Sequence, residues 1–374
     1  MTITDVGNLF MFAGGLGMFL YGMHSMSGGI QKTAGNKMKE LLGILTSNHF
    51  MAVVVGALVT AIIQSSGATT VMVVGFVNAG IMTLTQAVGV IMGANIGTCI
   101  TAWIVSLGQL GDAFKAFSPS LYAPLLVGIG AFLIMFSKKA KKQTVGEILV
   151  GLGLLFIGLD FMGDAAGDYL HLPIFTRAFE LFGSNPILGI LIGVIVTAIM
   201  QSSSAAVGVL QTLAAAGGVV TASSAMYISL GSNIGSCCTA LLSSLGESRN
   251  AKRSAVIHLT FNVLGALVWG SGLFVLFQFR PAFGTMGIDS VGISVFHTIF
   301  NLVCTVLMTP LRGKLVALSG LLVKGGDEQE QAEQSDDAIT LRHLDDRILE
   351  TPSFAVENAV SYTHLRAHET KANL

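Results

Sequence analysis

Apolar residues fall in long uncharged runs, and the same short polar cluster interrupts them at two places. Residues 51–79 carry no charge, yet Gln64-Ser65-Ser66-Gly67 sits in their middle. The cluster returns as Gln201-Ser202-Ser203-Ser204, again between apolar flanks. The flank before the first cluster, residues 50–63, is about 14 residues long, and at about 1.5 Å per residue it is too short to cross a core of about 30 Å. With the run at 68–81 it predicts two short helices meeting at a polar break, as a re-entrant hairpin or a broken helix. Backbone groups freed at such a break need protein, water or ligand as partners. Spans are expected at 9–27, 87–107, 121–136, about 255–279 and 292–310. Residues 28–49 read as a polar loop or amphipathic helix. The fold class expected is an all-α polytopic membrane protein.

The plan is written twice. Gly15-Leu16-Gly17 answers Gly151-Leu152-Gly153. The run Gly56 to Ser66, with Thr60-Ala61 and Gln64-Ser65-Ser66, answers Gly193 to Ser203, with Thr197-Ala198 and Gln201-Ser202-Ser203. Gly93-Ala94-Asn95-Ile96-Gly97-Thr98 answers Gly231-Ser232-Asn233-Ile234-Gly235-Ser236, and Thr101-Ala102 answers Thr239-Ala240. The offset stays near 137 residues throughout, so this is a duplicated unit and not a set of scattered matches.

Composition agrees with a membrane protein. Of 374 residues, 52% are hydrophobic and 11% charged, against about 25% charged in soluble domains. Mean hydropathy is +0.73. A formal net charge of −1 argues against a nucleic-acid partner. The 45 glycines lie within apolar segments, where small residues let helices approach. Cys99, Cys237, Cys238 and Cys304 are also in apolar segments, which argues against a disulfide framework. The histidines have no metal-ligand spacing, so no transition-metal site is expected. The N-terminal region carries Asp5 and no basic residue, so the first apolar segment is expected to be retained rather than cleaved.

Basic residues set the orientation. If each hairpin returns to its own side, Lys32, Lys37, Lys39, Lys138, Lys139, Lys141, Lys142, Arg249, Lys252, Arg253, Arg312, Lys314 and Lys324 share one face. Lys115, Arg177 and Arg280 take the other. This expects the N-terminus outside and the C-terminus in the cytoplasm of a multi-pass protein of the inner (plasma) membrane. The hairpins then enter from opposite sides, as two inverted-topology repeats: residues 1–143, and 144–323 with extra C-terminal spans. Residues 324–360 read as an acidic cytoplasmic linker. Residues 361–374 lose apolar periodicity and read as a non-native tail.

The breaks suit ions. Residues after each break, from Gly67 and from Ala205, offer free N–H groups at a helix N-terminus, a natural anion site to which serine hydroxyls add donors. Carbonyls at the end of the preceding half-helix, with Gln, Ser, Thr and Asn oxygens, suit a hard cation such as Na⁺. An anion and Na⁺ in one neutral pocket fit coupled symport.

These residues resemble the type II sodium/phosphate cotransporter family, which has a Gln-Ser-Ser-Ser signature in each of two inverted repeats, each followed by a Gly-x-Asn-x-Gly-Thr type stretch. The second copy is complete here, whereas Gly67 stands where the first most often has serine. The resemblance runs over about residues 10–311. It implies Na⁺-coupled symport of inorganic phosphate by alternating access, with no organic cofactor and no enzyme activity. By that resemblance, Ser65, Ser66, Gly67, Ser202, Ser203 and Ser204 meet phosphate. Gln64, Ser65, Ser66, Asn95, Thr98, Gln201, Ser203, Ser204, Asn233 and Ser236 meet Na⁺. The expected partners are phosphate, Na⁺ and the lipid bilayer, with a homodimer left open. Residues 344–352 resemble the entry to the PhoU-like domain that bacterial members often append, truncated here.

Other classes of protein fit these residues less well. An intramembrane serine hydrolase needs one activated serine and one base, so a duplicated serine cluster serves no purpose there. A channel needs a continuous hydrated path, which hairpins closing from opposite sides interrupt. Sulfate or a carboxylate remains an alternative anion. His258 and Asn262, and His297 and Asn301, each share a helix face and read as hydrogen-bonding pairs or proton-sensitive elements. Thr60 and Thr197, one turn before each break, read as caps or packing residues.

Overall fold

A computed structural model of the chain describes residues 3–44, 48–108, 119–170, 172–217 and 220–323. The linker at 324–360, the PhoU-like entry, the tail at 361–374 and Lys115 lie outside the described residues. Every regular element among the described residues is helical, apart from an isolated β-bridge between Thr221 and Gly287. In chain order the helices are α1 (Ile3–Ile44), α2 (His49–Ile63), α3 (Ser66–Asn78), α4 (Leu84–Gly108), α5 (Pro119–Phe136), α6 (Ala140–Leu170), α7 (Pro173–Ser184) and α8 (Pro186–Met200). Then come α9 (Ser203–Gly217), α10 (Ala222–Gly235), α11 (Cys237–Ser243), α12 (Arg249–Phe279), α13 (Pro281–Thr285), α14 (Ser290–Met308), a 3-10 turn and α15 (Arg312–Leu322). Six helices are long and apolar enough to cross a membrane, or up to seven counting α7 and α8 as one bent span.

Two elements differ from the sequence reading. The first helix does not give way to a separate element after residue 27 but continues to Ile44. Its packing against α6 runs past that point. Gly15 and Gly22 lie against the backbone of Gly158 and Gly151, Gly29 lies against Ile148 and Thr144, and Lys32 pairs with Glu147 at 2.7 Å. The spacing of seven keeps one face of α1 on its neighbour for four turns. The second difference is a 114° bend between α7 and α8 that hydropathy does not signal. Pro186 sits in the first turn of α8, and the Asn185 side chain accepts from the N–H groups of Ile187 (3.1 Å) and Leu188 (3.2 Å). Asn-Pro therefore stops one helix and caps the next. Asn48 caps α2 in the same way, accepting from Phe50 N–H at 2.9 Å.

Each short apolar helix before a break packs through glycines on both sides of the contact, α2 against α4 and α8 against α10. A Cβ on Gly93 of α4 would meet the Val53 carbonyl of α2 at 2.0 Å, and one on Gly56 would meet the Val90 carbonyl at 2.2 Å. The second half repeats this: a Cβ added at Gly231 of α10 would meet the Ile190 carbonyl of α8 at 1.9 Å, and one added at Gly193 would meet that of Ile228 at 2.1 Å. Backbones this close leave no room for a side chain, so helix-to-helix dispersion replaces side-chain interlocking.

The helices at the first break fold back on each other. Thr60 of α2 donates to the Thr69 hydroxyl of α3 at 2.9 Å, whereas nine residues along a straight helix span about 13 Å. At its far end α3 is tied to the start of α12: Asn78 donates to Glu247 and accepts from Ser248 N–H. In the second half Ala206 replaces the Thr69 partner, and the buried Thr197 hydroxyl has no hydrogen bond. Thr60 thus latches its break, whereas Thr197 only packs.

Candidate functional site

Both breaks are made by a glutamine in the left-handed backbone region. Gln64 has φ 59° and Gln201 φ 52°, and among the described residues no other non-glycine has positive φ. That conformation costs an ordinary residue about 1–2 kcal/mol. Strain of this kind clusters at functional sites, and here it falls at equivalent points of the duplicated sequence. The next residue then starts a helix. Ser65 Oγ accepts from Ala68 N–H at 3.1 Å, and Ser202 Oγ accepts from Ala205 N–H at 3.2 Å. Two of the break serines are therefore helix caps.

The structure brings the two breaks together around one cavity, lined by Ser65, Ser66, Gly67, Gln201, Ser202, Ser203, Ser204, Ser236 and Thr239. No charged side chain lines it. Ser66, Ser203 and Ser204 are 4–7% exposed, and among the described residues their hydroxyls take part in no hydrogen bond. Their polar atoms face the cavity rather than the protein. Its free volume is about 20 Å³, room for one or two waters. The N-termini of α3 and α9 both open onto it, so hydroxyls and helix dipoles together present donors to an anion.

The remaining sequence-nominated residues are arranged differently. Gln64 sits beside the cavity, with its Oε1 accepting from Thr101 of α4 at 3.0 Å and its amide donating to Ala61. Asn95 and Thr98 do not line the cavity; they are buried in α4 and donate to the carbonyls of Ile91 (3.3 Å) and Ala94 (2.9 Å). Asn233 also lies off it and joins α10 to α14, donating to Asn301 Oδ1 at 2.7 Å and meeting His297 Nε2 at 3.0 Å. Asn301 and Asn262 donate to the backbone carbonyls of His297 and His258, not to their rings. Thr239, the counterpart of Thr101 in the repeat, also lines the cavity. It donates to the Ser236 carbonyl at 2.8 Å. Its Oγ1 would lie 3.2 Å from a Cβ added at Gly67, so Gly67 faces Thr239 across the cavity.

The left-handed glutamines give a direct expectation. The Gln201 side chain is exposed and makes no hydrogen bond among the described residues, so Gln201→Gly relieves strain and loses little. It should raise stability by about 1 kcal/mol while lowering transport, as read by thermal unfolding in detergent and by uptake in vesicles. A drop in stability would show that Gln201 holds the break.

Fold and site together define a multi-pass membrane protein of a transporter class, with paired broken helices around a neutral polar cavity. The profile of the Na⁺/Pi-cotransporter family matches residues 18–164 and 171–311, and the chain belongs to that family, one of transporters and not of enzymes. It is 27% identical over 347 residues to "Putative inorganic phosphate export protein YjbB" of Escherichia coli (strain K12), covering 92% of this chain and 60% of that protein. The chain thus spans about 60% of the length of that relative. It is 29% identical over 311 residues to "Uncharacterized protein YqeW" of Bacillus subtilis (strain 168), covering 82% of this chain and 95% of that one. Over 109 residues it is 37% identical to "Sodium-dependent phosphate transport protein 2B" of Homo sapiens, covering 29% of this chain and 16% of that protein. No solved structure matches the chain.

Proposed function

We propose that the chain is a secondary transporter that couples Na⁺ to inorganic phosphate. In this reading phosphate meets the Ser65–Gly67 and Ser202–Ser204 segments, and Na⁺ is held by oxygens at the same breaks. The observation that carries the reading is the meeting of two left-handed glutamine breaks, with inward-facing serine hydroxyls, around one uncharged cavity. Phosphate-like groups carry about −1.5 to −2 charges at pH 7, and a neutral pocket suits such an anion only together with cations. The human relative is named for sodium-dependent phosphate transport and the E. coli relative for phosphate export. The gradients, rather than the pocket, then set direction.

The breaks form the walls of two inverted repeats, the first entered from the cytoplasm and the second from outside, and alternating access moves one against the other. In this reading the tips part to admit phosphate and close on it with Na⁺, which is consistent with a cavity of only about 20 Å³. Lys32, Arg249 and Arg253 belong to the cytoplasmic face of a plasma-membrane protein whose N-terminus is outside.

Linkage tests the coupling. Phosphate should raise the unfolding temperature of the purified chain in Na⁺ buffer and not in K⁺ buffer of equal strength, with sulfate giving no shift. Stabilisation by sulfate would overturn the choice of anion. A phosphate shift of equal size in K⁺ would overturn the choice of cation.

A further inference from the structure

A second polar cluster lies on α4, α9 and α14, away from the serine cavity. Gln211 of α9 is 0% exposed. Its Nε2 lies 3.1 Å from the Ala102 carbonyl, 3.0 Å from Ser106 Oγ, 3.0 Å from the Ser290 carbonyl and 2.8 Å from Ser294 Oγ. An amide nitrogen carries two N–H groups, yet four oxygens surround this one. The hydroxyls crowd further: Ser106 and Ser294 are 2.6 Å apart, and both lie 3.0 Å from the Ala102 carbonyl. The other end of the same amide, Gln211 Oε1, is buried with no hydrogen bond. A buried acceptor without a donor is costly, because its lost hydration is not replaced. Too many oxygens converge on one point, and one oxygen is left over beside it.

That is the donor set of a hard, weakly charged cation. Four oxygens already face a common centre, and rotation of the Gln211 amide would bring its idle Oε1 in as a fifth. None of them is charged. A monovalent ion therefore suits the cluster better than a divalent one, whose buried charge would be left uncompensated. We propose that Gln211, Ala102, Ser106, Ser290 and Ser294 form a binding site for a dehydrated alkali-metal cation, Na⁺ in the working protein. The Gln211 amide nitrogen is the tethered plug that such an ion displaces.

The location gives the site a consequence. Thr101, next to Ala102, holds Gln64 at the first break. Gln211 lies on the helix that begins at Ser203 of the second break, eight residues or about 12 Å along its axis. An ion here ties α4, α9 and α14 together and so links the two breaks without touching phosphate. The inference rests on the Na⁺-coupled reading above.

The test uses the full chain in buffers where Na⁺ replaces choline or K⁺ at constant ionic strength, without phosphate, followed by Na⁺ titration of phosphate uptake. The unmutated protein should gain stability with Na⁺ alone. Gln211→Glu supplies a charged oxygen; it should be unstable in choline, recover in Na⁺, and need at least tenfold less Na⁺ for half-saturation. Ser294→Ala should need at least tenfold more. If both variants lose the same stability in Na⁺ and in choline and keep the original half-saturating Na⁺, the cluster is a structural cross-link and the proposal fails. A larger effect of K⁺ than of Na⁺ would overturn the choice of ion. If Gln211→Glu does not fold in any buffer, the Ser294→Ala titration decides. No Na⁺ response of the unmutated protein, in stability or uptake, would instead sink the coupled-transport reading.

Discussion

Ser203→Ala is expected to lower Na⁺-driven phosphate transport about 10- to 100-fold while leaving the protein folded and inserted. Ser203 is 4% exposed, lines the cavity and makes no side-chain hydrogen bond among the described residues. The protein therefore loses no internal partner when the hydroxyl goes. A hydrogen bond to a charged group is worth about 1.5–3 kcal/mol, and each 1.4 kcal/mol is tenfold. Ser202→Ala differs in kind, because Ser202 Oγ caps α9 through Ala205 N–H. It should cost about 1 kcal/mol of stability as well. Equal transport in Ser203→Ala and the unmutated protein, at matched membrane levels, would remove the serine hydroxyls from the site.

The second large effect concerns the fold. Gly231→Ala should destabilise by about 3 kcal/mol or abolish folding, and Gly93→Ala should do the same. Their added methyls would sit 1.9 Å from the Ile190 carbonyl and 2.0 Å from the Val53 carbonyl. Those atoms belong to backbone and cannot rotate away, so the helices must separate and lose the contacts that hold each broken helix. Gly75→Ala is the control, since nothing lies within 4 Å of its added methyl. It should be neutral or gain up to about 1 kcal/mol from helix propensity. Yield and thermal midpoint in detergent read all three. A Gly231→Ala protein as stable as Gly75→Ala would mean that this close approach does not hold the fold.

What could be read from the chain depended on polarity interrupting apolarity. Gln64-Ser65-Ser66 and Gln201-Ser202-Ser203 stood out because a polar cluster inside an uncharged run has few structural explanations. The matched spacing to Gly93 and Gly231 then exposed the duplication. Hydropathy could not show that α1 runs on to Ile44, because Lys32 looks like the end of a span unless its partner Glu147 on α6 is known. The bend at Asn185-Pro186 was written in turn chemistry rather than in hydropathy. Within the site, Asn95 and Asn233 occupy equivalent repeat positions, yet one bonds its own helix and the other crosses to α14. Sequence identity between repeats does not carry side-chain partners with it. Gln211 gave no signal at all. Its significance comes from Ser106, Ser290 and Ser294, which are far from it along the chain and meet it only in the packed bundle.

Coupled transport through the paired breaks is open to a direct measurement. The full chain in proteoliposomes is given radiolabelled phosphate under an inward Na⁺ gradient and, in parallel, an inward K⁺ gradient, with and without excess sulfate. Accumulation should require Na⁺, persist in sulfate and fall in Ser203→Ala. Phosphate entry that is the same in K⁺ as in Na⁺, or that sulfate abolishes, would contradict it.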